Sequence, residues 1–165
     1  MLDGGLAVWK AEGRPVNTEV RAITRGRLEP CANTDVIAGI KFMQDNLHHT
    51  GVDIIDARLA NFYSGATPSP AGKRLGHIPG AANIPFDTLV DASGKFKSHD
   101  ELAAMFKAAG VKPGDRVVSY CHIGVQATAV YFAGKVLGLD IHMYDGSWQE
   151  WSAHEDLPVE EAPKK

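Results

Sequence analysis

The stretch RVVSYCHIGVQATAVYF, residues 116–132, decides the fold of this chain. Its first five residues are typical of a buried β-strand, and the apolar spacing from Val125 to Leu137 predicts a helix. A strand that passes into a helix without a linker is typical of α/β folds. Cys121 stands at this junction.

Strands and helices alternate along the rest of the chain. Short apolar runs predict further strands at residues 52–57, 81–85 and 140–144, and a Gly/Pro/Ser-rich loop fills residues 64–80. Such alternation favours right-handed crossovers between parallel strands. We therefore predict an α/β fold whose central sheet is mainly parallel and covered by helices on both faces.

Two more helices are predicted from their starting residues. Ser98 and Glu101 have the spacing of a capping box before an apolar periodic stretch. A second apolar series, over residues 36–47, also has helical spacing. Its predicted N-cap is Thr34 or Asp35.

The composition excludes several classes of protein. The chain has 165 residues, of which 44% are hydrophobic and 22% charged, as expected for one globular domain. A net charge of -3 gives no basic surface for nucleic acid, and no apolar run is long enough to span a membrane. The first residues lack the pattern of a secretory signal. The two cysteines, Cys31 and Cys121, form no disulfide framework, which favours a reducing compartment and a cytoplasmic location.

Two segments near the ends of the chain resemble each other. DGGLAVWKAEGRPV begins at Asp3, DGSWQEWSAHEDLPV begins at Asp145, and Trp9 aligns with Trp151. The repeat distance is that of a whole domain rather than of a solenoid unit. We therefore predict three parts: residues 1–17 as the tail of a preceding similar domain that is absent here, residues 18–160 as the domain itself, and residues 161–165 as a flexible C-terminus.

Cys121 directly follows a predicted strand, at the position where open α/β sheets bind ligands. The free N–H groups and positive dipole end of the following helix favour an anion there, such as a thiolate or a persulfide. Gly124 supplies the backbone freedom that a tight loop needs. Cys121 is therefore a candidate nucleophile, and an inert buried cysteine is the alternative.

Two other kinds of cysteine site fit the residues poorly. A cysteine-dependent phosphatase needs an arginine six residues after the cysteine, and that position is Ala127. A zinc site is not indicated because Cys121 and His122 are adjacent and the other histidines lack ligand spacing. We interpret His77 as a turn residue with a structural hydrogen bond, and Cys31 as a packing residue.

Four motifs occur in a characteristic order: DAR at residues 56–58, GHIPGAANIPF at 76–86, CHIGVQAT at 121–128 and YDGSWQEW at 144–151. Together they resemble the rhodanese family of sulfurtransferases over nearly the entire chain. More narrowly, the chain is similar to the C-terminal, catalytic half of a tandem-domain thiosulfate sulfurtransferase. The leading segment then resembles the end of the non-catalytic first half.

The resemblance implies a mechanism without a metal or organic cofactor. In this family the cysteine that matches Cys121 takes a sulfur from a small-molecule donor, becomes a persulfide, and passes the sulfur to cyanide or a thiol. The cleft lies between the two halves, so an absent N-terminal rhodanese-like domain is the expected partner. The residues that match the family's persulfide loop, with its main-chain N–H groups, are His122, Ile123, Gly124, Val125, Gln126 and Ala127.

The sequence departs from the family at positions that bear on the sulfur donor. His122 and Ile123 stand where thiosulfate enzymes often carry an arginine and a lysine. Mercaptopyruvate enzymes have a serine in place of Ile123, and arginines in place of Phe62 and Ala71. We therefore expect thiosulfate or a related donor. The alternative is a persulfide carrier module that turns over poorly in isolation.

Three further residues are candidate cleft contacts. Lys73 and Arg74 lie in the loop after the first strand, where solvated surface charges are the alternative interpretation. Trp148 forms either a wall over the persulfide or an anchor in the core. For Asp56 and Arg58 we expect a structural pairing rather than contact with substrate.

Overall fold

A four-stranded parallel sheet forms the centre of the computed structural model, which describes residues 2–29 and 34–161. The strands are β1 (Val52–Asp56), β2 (Ala82–Asn83), β3 (Arg116–Tyr120) and β4 (Asp140–Met143). Their order in the sheet is β2-β1-β3-β4, and all three pairings are parallel. The predicted α/β fold with a mainly parallel sheet is confirmed.

Helices cover both faces of this sheet. Adjacent residues of β3 point to opposite sides. Val117 packs with helices α4 (His99–Ala108) and α5 (Ala127–Val136), while Val118 packs with α2 (Ile40–Asp45) and α6 (Ser147–Trp151). Both core clusters therefore depend on side chains that point alternately to the two faces of the sheet along its central strands. The helices are α1 (Gly5–Ala11), α2 (Ile40–Asp45), α3 (Ala60–Tyr63), α4 (His99–Ala108), α5 (Ala127–Val136) and α6 (Ser147–Trp151).

The predicted capping box at the start of α4 is present. The Ser98 hydroxyl accepts from the Glu101 amide at 3.4 Å, and the Glu101 carboxylate accepts from the Ser98 amide at 2.9 Å. Two orphan N–H groups are thus satisfied by side chains of the same turn, which fixes where the helix begins.

The helix predicted for residues 36–47 is wrong at its start. Thr34–Val36 form a 3-10 turn, and Ile37 makes a parallel bridge with Met143 of β4. This pairing with the sheet keeps the backbone extended after Val36. Helix α2 therefore begins only at Ile40, with Gly39 rather than Thr34 or Asp35 as its N-cap.

The two similar sequence segments also share their local structure. Gly5 in α1 and Ser147 in α6 occupy the same place and are both left-handed, with φ of 61° and 54°. The indole N–H of Trp9 donates to the Pro15 carbonyl at 2.9 Å, and the indole N–H of Trp151 donates to the Pro158 carbonyl at the same distance. Helix α1 is therefore a second copy of the motif that closes the domain.

Residues 14–29 form neither helix nor strand, and Val20, Ile23 and Leu28 within them are exposed. Within residues 2–29 and 34–161, no helix has the length and apolar character needed to cross a bilayer. The cytoplasmic location and the three-part division stay predictions. Cys31 and residues 162–165 of the predicted C-terminal tail lie outside the described residues.

Candidate active site

Cys121 is the first residue after β3, at the carboxyl end of the sheet, and it is a free thiol with no exposed surface. Its amide donates to the Ser147 hydroxyl at 3.2 Å. Its carbonyl accepts from the Trp148 amide at 2.9 Å. The start of α6 therefore holds the peptide groups on both sides of the cysteine.

The backbone N–H groups that follow the cysteine are free of protein acceptors among the described residues. None of the N–H groups of residues 122–127 has an acceptor within the described ranges, and the first bond of the helical turn comes from Thr128 to Val125. Helix α5 has no acidic residue in its first turn, so the positive end of its dipole is not offset there. This geometry stabilises a negative charge beside Cys121.

The side chains of the Cys121 loop, residues 121–126, divide between solvent and interior. Ile123 and Val125 are 52% and 66% exposed, so they present apolar surface outward. Gly124 has φ of 89°, and a Cβ built on it would lie 2.7 Å from the Asp145 carboxylate. The side-chain oxygen of Gln126 is buried without a partner among the described residues. The loop thus depends on glycine for its close approach to the next strand-to-helix turn.

His122 points away from solvent and contacts the 64–80 loop. Its Nδ1 lies 2.7 Å from the Ser69 hydroxyl, and its ring stands at 86° to the ring of Phe62 with centroids 4.7 Å apart. Burial lowers the pKa of His122, and the nearby Arg58 charge lowers it further. His122 is therefore neutral near pH 7.

Ser69 is a contact that sequence reasoning did not find. It lies 53 residues before His122 in a stretch without periodicity. The one available signal was its position in a loop that follows a strand at the same edge of the sheet.

A buried polar network lies beneath this site. The Arg58 guanidinium binds both oxygens of the Asp56 carboxylate at 2.5 to 3.0 Å and also donates to the Gly76 carbonyl at 2.8 Å. The Tyr120 hydroxyl donates to Asp56 at 2.7 Å. Burial opposes the charge on Arg58, but the hydrogen bonds and charge of Asp56 raise its pKa overall. The expected structural pairing of Asp56 and Arg58 is confirmed.

Trp148 is fully buried in the core that packs against β3. Its indole N–H donates to the Arg74 carbonyl at 3.2 Å, and the Arg58 guanidinium lies over its ring at 4.6 Å. Trp148 therefore joins the Cys121 backbone, the 64–80 loop and the buried ion pair. Direct contact between Trp148 and a bound donor stays a prediction.

Lys73 and Arg74 differ in their surroundings. The Arg74 guanidinium donates to the carbonyls of Leu157 and Trp151 at 2.7 and 3.4 Å. It therefore binds the 64–80 loop to the segment of residues 151–157. The Lys73 side chain is exposed and forms no ion pair within the described parts of the chain. Of these two candidate cleft cations, Lys73 is the one whose charged group is available.

His77 has the predicted turn contact, since its Nδ1 lies 2.8 Å from the Tyr63 carbonyl. Because a nearby backbone oxygen already occupies this nitrogen, the structure supports a structural role for the residue.

One surface groove is separate from Cys121. It has a volume of about 730 Å³ and lies between α4, with the turn that follows it, and the segment before β4. None of the predicted site residues lines it.

A cysteine at the end of a parallel strand, followed by a run of free N–H groups, is an arrangement that suits nucleophilic chemistry at sulfur. The chain belongs to the rhodanese family, because residues 40–154 match the Rhodanese-like domain.

Curated relatives of the chain are sulfurtransferases and a sulfur carrier. The chain is 35% identical over 162 residues to the 3-mercaptopyruvate sulfurtransferase of Escherichia coli (strain K12), covering 97% of the chain and 57% of that protein. It is 32% identical to the putative thiosulfate sulfurtransferase 1 of Mycobacterium bovis, covering 97% of the chain and 60% of the relative. It is 33% identical to the sulfur carrier protein TtuD of Thermus thermophilus, covering 96% and 60%. The chain thus spans little more than half the length of these relatives.

Solved structures show the same fold at low identity. A variant of EanB in complex with ergothioneine superimposes with a TM-score of 0.90 at 21% identity, covering 99% of this chain and 41% of that one. The anaerobic ergothioneine biosynthesis enzyme from Chlorobium limicola superimposes with a TM-score of 0.89 at 20% identity, with the same coverage. These similarities support the fold assignment.

Proposed function

We propose that this chain is a sulfurtransferase that moves a sulfane sulfur from thiosulfate, or a related donor, to cyanide or a thiol through a persulfide on Cys121. The observation that carries this proposal is the position of the Cys121 thiol at the end of β3, followed by the unpaired N–H groups of residues 122–127. These donors match a persulfide anion better than they match a neutral thiol.

The proposed reaction consists of two displacements at sulfur. The Cys121 thiolate attacks the outer sulfur of thiosulfate, the S–S bond of the donor breaks, and sulfite leaves with the electron pair. Cyanide or a thiolate then attacks the outer sulfur of the persulfide, and the Cys121 thiolate is regenerated. Neither step requires a metal or an organic cofactor, because all the bond changes occur at sulfur.

Two features support thiosulfate over 3-mercaptopyruvate as the donor. Ile123 has no proton to relay to a carbon leaving group. Phe62 packs its ring against His122 and offers no positive charge to a carboxylate. Thiosulfate needs neither group, since its charged oxygens can be held by loop N–H groups and by Lys73.

The test is a mass measurement on the purified chain. We expect incubation with thiosulfate to add one sulfur atom to the chain, and a thiol reductant or cyanide to remove it. The Cys121→Ser variant should gain no sulfur, whereas Cys31→Ser should gain it as the wild type does. Equal loading of wild type and Cys121→Ser would contradict the proposal.

A persulfide carrier is the second candidate function. The relative TtuD is named a sulfur carrier protein, and the buried Cys121 suits storage of a persulfide as well as turnover. The two functions differ in steady-state thiocyanate release from thiosulfate and cyanide. Repeated turnover supports the enzyme, and a single loading without turnover supports the carrier.

We propose, as the partner, a preceding rhodanese-like domain that completes the cleft. Helix α1 repeats the motif of α6, yet Leu6 is 58% exposed where the matching Trp148 is fully buried. The apolar side of α1 therefore lacks the core that its copy has. We expect Leu6→Glu to leave the Tm of this chain unchanged and to lower the Tm of a longer protein that includes the preceding domain. An unchanged Tm in both would contradict the proposal.

A further inference from the structure

Ser69 contacts His122, and this contact takes no part in the two displacements of the proposed reaction. Its side chain is 7% exposed, and its hydroxyl lies 2.7 Å from His122 Nδ1. The same hydroxyl accepts a hydrogen bond from the Ala71 amide at 3.3 Å. Ser69 thus joins the 64–80 loop to the residue that follows the nucleophile.

These contacts decide where the proton of the imidazole lies. A serine hydroxyl has a single proton to donate, and among the described residues His122 Nδ1 is the acceptor it meets. His122 is neutral near pH 7, because burial and the Arg58 charge both disfavour its protonation. We therefore assign Nδ1 as the acceptor of the Ser69 hydroxyl proton, which places the ring proton on Nε2 as part of the inference below.

The Nε2–H group is a spare donor on the residue that follows the cysteine. His122 Nε2 has no hydrogen-bond partner within residues 2–29 and 34–161. It is also not one of the side-chain atoms that are fully buried without a partner. The ring of Phe62, perpendicular to the imidazole, limits its rotation. The donor is therefore held in a defined direction.

We propose that Ser69 is a positioning residue for sulfur transfer, which holds His122 as the Nε2–H tautomer so that the Cys121 loop offers an additional N–H donor to an anionic sulfur donor. This inference rests on the proposed function. Without the Ser69 hydroxyl, the ring proton can move to Nδ1, and Nε2 then presents a lone pair to the anion. Without the hydroxyl, the sulfur donor binds more weakly. The rate at which an acceptor attacks a persulfide that has already formed does not change.

The charged groups that face His122 support this arrangement. Arg58 disfavours the imidazolium, and the more weakly acting Asp56 favours it. Both charges belong to one buried pair that is held together by several hydrogen bonds. His122 then acts as a neutral donor rather than as a cation.

The experiment compares Ser69→Ala with Ser64→Ala. Ser64 lies in the same loop, and its hydroxyl accepts from the Ala66 amide as that of Ser69 does from Ala71, but its other contact is the Asn61 carbonyl. We expect Ser69→Ala to raise the KM for thiosulfate about tenfold, the effect of one hydrogen bond to a charged group. Discharge of the preformed persulfide by cyanide should stay within about twofold of wild type. Ser64→Ala should leave both quantities within the same limit.

Two further measurements separate positioning from general support. Nitrogen NMR of the wild type should show His122 as the Nε2–H tautomer, and Ser69→Ala should show a mixture. In a His122→Ala background, Ser69→Ala should have no further effect on KM, because Ser69 acts through His122.

Three results would overturn the inference: an Nδ1–H tautomer in the wild type, equal KM values for the two serine variants, or an undiminished effect of Ser69→Ala without His122. A wild type that takes no sulfur from thiosulfate would instead refute the proposed function. The tautomer requires neither a donor nor a variant, so it still decides between the two arrangements of Ser69 and His122.

Discussion

The amide of Cys121 donates to the hydroxyl of Ser147, and that hydroxyl in turn donates to the Tyr144 carbonyl at 2.9 Å. Ser147 adopts this position with φ of 54°, in the left-handed region that non-glycine residues rarely enter. Ser147, the first residue of α6, thus adopts a strained backbone conformation, and its hydroxyl satisfies the N–H group of Cys121. The stability of this turn and the position of the thiol are therefore coupled.

Ser147→Ala should lower the free energy of unfolding by about 1 to 3 kcal/mol, because the buried Cys121 amide loses its acceptor. Ser147→Gly loses the same hydroxyl but relieves the left-handed strain by about 1 kcal/mol. The glycine variant should therefore be more stable than the alanine variant in urea denaturation. Wild-type stability in Ser147→Ala would show that water replaces the hydroxyl.

Arg58→Met should destabilise the fold by about 3 to 5 kcal/mol, because it leaves the buried Asp56 carboxylate without its counter-ion. The matched control is Arg116→Met. Arg116 also pairs with an aspartate, Asp140, but both side chains are about half exposed. That variant should cost less than about 1 kcal/mol. Similar losses in urea denaturation would mean that the Asp56 pair is hydrated in solution.

Local signals in the sequence predicted the strand that precedes Cys121 and the start of α4. The strand before Cys121 and the capping box at Ser98 follow from patterns within a few residues, and the structure has both. The predicted start of α2 was wrong because it depends on a contact with a distant part of the chain. Ile37 pairs with Met143, and a contact over this separation leaves no trace in the local pattern of residues 34–39.

The same distinction applies within the site. The loop sequence and its resemblance to a family predicted Cys121 and the residues after it as candidate site residues. The contact between Ser69 and His122 depends on how the 64–80 loop folds back over the sheet. The sequence of that loop has no hydrophobic periodicity from which its path could be predicted.

Stability should depend on pH through Asp53. Burial, and then the neighbouring Asp115, raise the pKa of Asp53 from 3.8 to about 6 in the folded chain. The folded state then binds more protons than the unfolded state between these pH values, so stability falls as pH rises from about 4 to about 6. Asp53→Asn should remove this decrease in a series of Tm measurements. Asp100→Asn, at a fully exposed position, should leave it intact.

Gly124→Ala should impair the site more than the fold. Its φ of 89° costs an alanine about 1 to 2 kcal/mol, and the new Cβ would approach Asp145 to 2.7 Å. Gly138→Ala is the control, since Gly138 has φ of 74° with open space around it. Gly124→Ala should lose at least as much stability as Gly138→Ala, but only Gly124→Ala should slow the loading of sulfur from thiosulfate. Equal loading rates would contradict a role for the loop backbone.

Thiosulfate should be preferred over 3-mercaptopyruvate by at least about tenfold in kcat/KM, equivalent to about 1.4 kcal/mol. The reason is that Ile123 and Phe62 supply neither a proton nor a positive charge. Steady-state kinetics with both donors and one acceptor measure the ratio. A preference for 3-mercaptopyruvate would show that residues outside this chain provide both functions.

The complete burial of Cys121 sets a size limit on what can reach it. In the proposed reaction, cyanide is small enough to approach a persulfide on Cys121, whereas a thiol carried on a protein requires the surrounding loops to open first. The opening free energy would then enter the rate for large acceptors and be absent for small ones. We therefore expect loop motion to limit the proposed transfer to a macromolecule, and chemistry at sulfur to limit the proposed transfer to a small nucleophile.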